Sequence, residues 1–258
     1  MASAGAPPAS RAAYSVDASP EDRRAAVEHE LHRSNLALCL LHLAQGYAVF
    51  AASLTLPTPK SFVIPMYTAL PSWRFGYPAA DQQFRYSVPF AGLTSGLGFI
   101  TAAGHFAVLA YFPFYIAGLR RGINPFRWAE YAVSSSLMIV LIAMLFGFWD
   151  PVGLTLLGAA NACMCGFGLL HERINEGKVG SAVAWESFYF GCFAGLAPWC
   201  AIFAYLGLLS SSLSLVPGFA WGAISSAWTA GEEGRGFSDC CLTPHAPSPS
   251  FAAYAVLL

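Results

Sequence analysis

From Asn35 onward, long apolar runs alternate with short polar ones. A membrane-spanning helix needs about 20 mostly apolar residues. That length fits Asn35–Leu54, Phe90–Leu119, Arg127–Trp149, Val152–Leu170 and Val183–Leu206, with a marginal sixth run at Leu213–Ala230. The pattern predicts an all-α, polytopic transmembrane helix bundle of five clear spans and a weaker sixth. Between the first two runs, residues 56–87 are rich in Pro, Tyr, Trp and Phe. This stretch is too long for a tight turn, and its aromatics suit a structured loop at the membrane interface.

The flanks differ from the core. Residues 1–34 hold Arg11, Asp17, Glu21, Asp22, Arg23, Arg24, Glu28, Glu30 and Arg33 without an apolar centre, which reads as a polar tail and not as a secretory signal. Residues 35–230 form the bundle. Residues 231–258 turn Gly-, Ser- and Pro-rich and are expected to be a divergent, disordered tail; the final apolar run Phe251–Leu258 is too short to cross a bilayer.

Composition sharpens the class. The chain is 56% hydrophobic and only 10% charged, where a soluble domain carries about 25% charged residues. With a net charge of −1 it offers no basic face for nucleic acid. The partner implied is the lipid bilayer. Lys and Arg then set the orientation. With the amino terminus inside, the inner segments hold Arg11, Arg23, Arg24, Arg33, Arg120, Arg121, Arg127, Arg173 and Lys178, and the outer ones only Lys60, Arg74 and Arg85. The amino terminus is therefore expected in the cytoplasm and the loop 56–87 outside.

Ionisable and polar groups inside spans are costly and informative. Arg127, Glu130 and Ser134 lie three and four apart, on one helix face. Two readings stand: an interfacial ion pair, or a buried Glu130 acting as counterion to a positive group elsewhere. His42 and His105 sit in the first and second spans, each an interhelical hydrogen-bonder or a functional group. Asn161, Met164, Cys165, Gly168 and Glu172 follow the helical period down one face of the fourth span, as an inward polar lining or a plain packing face. Gly92-x-x-x-Gly96 and Gly191-x-x-x-Gly195 permit close helix approach. Cys163-x-Cys165 has the wrong spacing for structural zinc, so no metal site is expected. No nucleophile–base pair appears, so an enzyme is not expected and no catalytic residue is assigned.

These residues in this order resemble the heliorhodopsin family. The string Arg127-Trp128-Ala129-Glu130-Tyr131 with Ser134-Ser135-Ser136-Leu137-Met138-Ile139 is similar to that family's third-helix signature. Asn161, Met164, Gly168 and Glu172-Arg173-Ile174-Asn175 fit the fourth helix, and Trp185, Gly191, Gly195, Pro198-Trp199 and Tyr205 the fifth. His42 with Gln45-Gly46, and His105, match the first and second. The resemblance covers roughly residues 33–226. It implies a rhodopsin-like, light-sensing retinal protein with a cytoplasmic amino terminus, forming a homodimer. It further implies Glu130 as Schiff-base counterion, with Ser134, His42, His105 and Arg127 in the counterion network. Asn161, Met164, Gly168 and Trp199 would line or flank the retinal pocket.

One departure bears on activity. The family carries retinal on a lysine of its seventh helix, whereas this sequence has two lysines, Lys60 and Lys178, both in loops. The sixth helix begins recognisably at Val216-Pro217-Gly218-Phe219-Ala220-Trp221 and loses the family pattern near Ser226, as in a truncated or mis-spliced product or a short isoform. No Schiff-base lysine is assigned, and covalent retinal is not expected. Two further functions are compatible with the residues: an ion- or proton-conducting bundle using Glu130, His42 and His105, and a chromophore-free membrane interaction subunit.

Overall fold

A computed structural model describes residues 19–55, 62–74, 76–178 and 180–208 of the chain. Helix α1 spans Pro20–Thr55, a hairpin of β1 (Val63–Arg74) and β2 (Tyr77–Pro89) follows, and α2 covers Phe90–Ala110. Next come the short α3 (Phe112–Arg120), then α4 (Pro125–Leu145), α5 (Pro151–Ile174), a 3₁₀ turn at Gly180–Ala182 and α6 (Glu186–Leu208). Five of these helices (α1, α2, α4, α5 and α6) are long and apolar enough to cross a membrane. The expected sixth span at 213–230 and the tail 231–258 lie outside the described residues.

The helices start and stop for local reasons. Asn124 caps α4 by accepting the Arg127 N–H at 3.1 Å, and Asp150 caps α5 by accepting the Gly153 N–H at 2.7 Å. Each cap is followed by a proline in the first turn, where its missing N–H costs nothing. Helices α3 and α4 end alike. Gly122 (φ 74°) and Gly147 (φ 88°) take the left-handed conformation, and Ile123 N–H and Phe148 N–H fold back onto the carbonyls of Gly118 and Ala143. This is the paired-bond glycine stop.

Three boundaries differ from the sequence expectation. The apolar run 90–119 is not one span. Pro113 cannot donate to Leu109 and its ring crowds that carbonyl, so the helix breaks at Tyr111 and restarts as α3. The polar segment before Asn35 is helical from Pro20 and continuous with the first span. At 1.5 Å per residue the 36 residues reach about 54 Å, well beyond the ~30 Å hydrocarbon core. The excess is the charged amino-terminal end, which an ion pair between Glu28 and Arg120 (2.5 Å) ties to α3. Finally, the loop after α1 contains a long antiparallel hairpin, so the described residues carry a small sheet beside their helices. Met66 and Ile64 bury their side chains, and Tyr67 N–H donates to the Trp149 carbonyl at 3.1 Å, fastening the hairpin over the α4–α5 turn.

The helices pack in chain order: α1 on α2, α2 on α4, α4 on α5, α5 on α6. The main core lies toward the hairpin end and includes Ile139, Met144, Phe146, Leu157, Trp199 and Ile202. A second cluster of Trp128, Met164, Cys165 and Phe188 lies toward the opposite end. Apolar area alone does not drive helices together in lipid, so close approach matters. At the α1–α2 crossing, a Cβ on Gly98 would lie 2.7 Å from the Gly46 nitrogen. Only glycine fits.

Candidate functional site

Glu130 stands near the start of α4, half-buried against α2. Its Oε1 accepts a hydrogen bond from Thr101 Oγ1 at 2.9 Å. The adjoining turn of α2 makes room for it: a Cβ on Gly104 would sit 2.6 Å from Glu130 Cγ. Thr101, Gly104 and His105 occupy one face of α2 at three- and four-residue spacing, so the carboxylate and the imidazole share that face.

His105 and His42 stack face to face across the α1–α2 interface, with centroids 5.6 Å apart and planes 4° from parallel. His105 Nδ1 donates to Asn35 Oδ1 at 2.9 Å, which fixes the proton on Nδ1, because a carbonyl oxygen only accepts. Asn35 Nδ2 in turn donates to the Leu31 carbonyl at 2.8 Å. A groove of about 290 Å³ runs beside this pair, with His42, Gln45, Thr94, Ser95 and Thr101 among its lining. Thr101 therefore touches both the groove and Glu130.

Arg127 turns elsewhere. Its Nη2 donates to Glu172 Oε1 of α5, and the guanidinium carbon lies 5.0 Å from the centre of the Trp128 ring. Glu172 Oε2 also accepts the Asn124 N–H at 2.8 Å. The face shared by Arg127 and Glu130 thus serves two neighbours, the arginine holding α5 and the glutamate meeting α2. Ser134, one turn beyond Glu130, is half-buried and makes no hydrogen bond among the described residues.

The α5 face is deeply buried. Asn161 Nδ2 donates to Ser135 Oγ at 2.7 Å and lies 3.3 Å from Ser136 Oγ, while Ser135 Oγ is 3.7 Å from Cys165 Sγ. Met164 is fully buried and fills the space over Gly195, where a Cβ would fall 2.3 Å from its sulfur. Gly168 lies under the Trp128 ring, whose nearest atom would be 2.2 Å from an added Cβ. Trp199 sits in the other cluster, toward the hairpin, with its ring 5.9 Å from that of Phe203.

Sequence spacing left out Thr101, Asn35 and Ser135, which hold the named residues in place. Thr101 and Ser135 are ordinary small residues in apolar helices, and nothing in their own pattern sets them apart. Asn35 carried a signal, as a strongly polar residue at the edge of a span with His42 seven positions on.

The family model of the heliorhodopsins matches residues 31–230. No curated protein matches the chain. The matched segment takes in all five long apolar helices apart from the amino-terminal turns of α1; this integral membrane protein belongs to the heliorhodopsin family.

Proposed function

We propose that this chain carries the counterion side of a light-sensing retinal site, with Glu130 as the carboxylate that would face a protonated Schiff base. The carrying observation is the Thr101–Glu130 hydrogen bond at 2.9 Å beside Gly104. A carboxylate brought between helices and given a donor is oriented for a cation instead of being left to snorkel outward. His42, His105 and Asn35 form the polar network behind it, with Ser134 and Arg127 at its margins. Asn161, Met164, Gly168 and Trp199 supply the wall on the α5–α6 side. The orientation with the amino terminus in the cytoplasm follows from the charge count, and a homodimer is the expected assembly by family.

Retinal in this family needs a lysine amine, and the described residues do not fit that requirement. Among them Lys178 is the one lysine, exposed in the loop after α5. Lys60 lies outside the described residues. We therefore propose that residues 1–258 on their own hold no covalent retinal, and no chemical step is derived through it.

A chimera tests the Glu130 assignment. Residues after Ser226 are replaced by the corresponding segment of a lysine-bearing heliorhodopsin, and the protein is supplied with all-trans retinal. A visible pigment whose absorption maximum moves in Glu130→Gln supports the assignment. A pigment indifferent to Glu130→Gln refutes it. A second reading, proton conduction, is favoured by the groove beside the His42–His105 pair, whose largely apolar lining also carries Gln45, Thr94, Ser95 and Thr101. A proton flux into liposomes that is abolished in His42→Phe would support it.

A further inference from the structure

At the end of the bundle opposite the hairpin, a second groove of about 330 Å³ opens between α3, the α3–α4 turn and the end of α5. Its apolar wall includes Phe114, Ala117 and Pro125, and its charged groups are Arg121, Arg173 and Glu176. Phe114 is 63% exposed although it sits against the Phe126 ring, so part of the wall is open to whatever surrounds the helix ends.

The charges are unevenly satisfied. Arg121 grips Glu176 with two parallel bonds, Nε to Oε1 at 2.5 Å and Nη2 to Oε2 at 2.8 Å. That leaves its Nη1 edge without a partner among the described residues. Arg173 makes no hydrogen bond or ion pair among the described residues. Among the described residues, two guanidiniums against one carboxylate leave the groove net positive, with Arg173 uncommitted. Lys178 lies in the loop after α5, a few residues beyond Arg173.

We propose that this groove binds the headgroup of an anionic phospholipid, its phosphodiester held by Arg173 and the free edge of Arg121, and its upper acyl chain lying along Phe114 and Ala117. Three features favour a lipid over other anions. A planar guanidinium matches two phosphate oxygens at once. The apolar wall beside the arginines suits a ligand that is charged at one end and hydrocarbon at the other. The groove also lies where the spanning helices end, at the depth of headgroups. The proposal uses from the preceding reading only the membrane setting, and it requires neither retinal nor Glu130. Failure of either leaves the other standing.

The test is lipid binding to the full chain purified in detergent, read by native mass spectrometry during titration with phosphatidylglycerol or phosphatidylcholine. Phosphatidylglycerol is expected to be selected. A basic side chain near an anionic surface is worth about 1 kcal/mol, roughly five-fold in affinity, so Arg173→Gln should weaken phosphatidylglycerol about five-fold and leave phosphatidylcholine unchanged. Glu176→Gln separates ligand binding from a structural staple. Freed from its carboxylate, Arg121 should bind phosphatidylglycerol more tightly, whereas a purely structural pair would give no gain. Equal binding of the two lipids, or no change in Arg173→Gln, overturns the proposal. So does millimolar inorganic phosphate displacing the lipid completely, which would mark a soluble-anion site. A polyglutamate peptide that binds with Arg173 dependence while phosphatidylglycerol does not would assign the groove to a protein partner instead.

Discussion

Removing Glu172 should loosen the join between the start of α4 and the end of α5. Its side chain is 11% exposed and that of Arg127 is 21% exposed, so both charges are largely out of water. Glu172→Ala deletes the acceptor for Arg127 Nη2 and for the Asn124 N–H. Charge-assisted bonds of this kind are worth about 1.5–3 kcal/mol each. Stranding one member of a buried pair costs about 3–5 kcal/mol where burial is complete. Two facts lower the figure here: the guanidinium keeps some access to solvent, and it already rests against Trp128, a contact worth about 0.5–1 kcal/mol. The expected loss is about 2–3 kcal/mol. Reversible unfolding in mixed detergent, followed by tryptophan fluorescence, measures it. The double variant Arg127→Met/Glu172→Leu should recover part of the loss, because apolar replacement of both partners leaves no buried charge, while the Asn124 N–H still lacks the Glu172 acceptor. A Glu172→Ala cost below about 0.5 kcal/mol, or a double variant as poor as the sum of the singles, would refute this account of the join.

Three more outcomes follow from the packing and the ion pairs. Gly168→Ala should cost about 1–3 kcal/mol because the added methyl meets the rigid, buried Trp128 ring; Gly195→Ala should cost less, since the flexible thioether of Met164 can shift, and the same unfolding assay compares them. Thr101→Val should cost about 1 kcal/mol through the lost bond to Glu130, with Thr101→Ser retaining most of it. Hydrogen bonding from Arg121 holds the Glu176 carboxyl below the ordinary glutamate range. Its stabilising contribution is therefore present above that range and fades only as pH falls through the lowered value; a carboxyl NMR titration placing Glu176 at or above the ordinary value would contradict this.

What the sequence shows most clearly is length and polarity along the chain. Three of the five spans, α4, α5 and α6, emerge within a few residues, because an apolar run of fixed length is a local property. The Tyr111 break needed weight on Pro113 inside a run that was otherwise apolar. The hairpin was hidden by Pro65 and Pro71 in β1, which interrupt the alternation that marks a strand. At the site, helical spacing correctly grouped Asn161, Met164 and Gly168 on one buried face, and it placed Arg127 and Glu130 on a common face of α4. It could not say that Arg127 would choose Glu172, 45 positions away. That choice depends on how α4 and α5 cross, and so do the roles of Thr101 and Ser135. Burial explains the same limit at Gly104 and Gly168, whose meaning lies in the side chains of Glu130 and Trp128 on a neighbouring helix.

The central proposal is that Glu130 and its neighbours form a counterion site to which neither Lys60 nor Lys178 brings its amine. The most direct measurement is the absorption spectrum of membranes containing this chain after addition of all-trans retinal, followed by borohydride reduction and peptide mapping. The account predicts no visible band beyond that of free retinal and no retinyl-lysine peptide. A red-shifted pigment that is fixed by borohydride to Lys60 or Lys178 would contradict it.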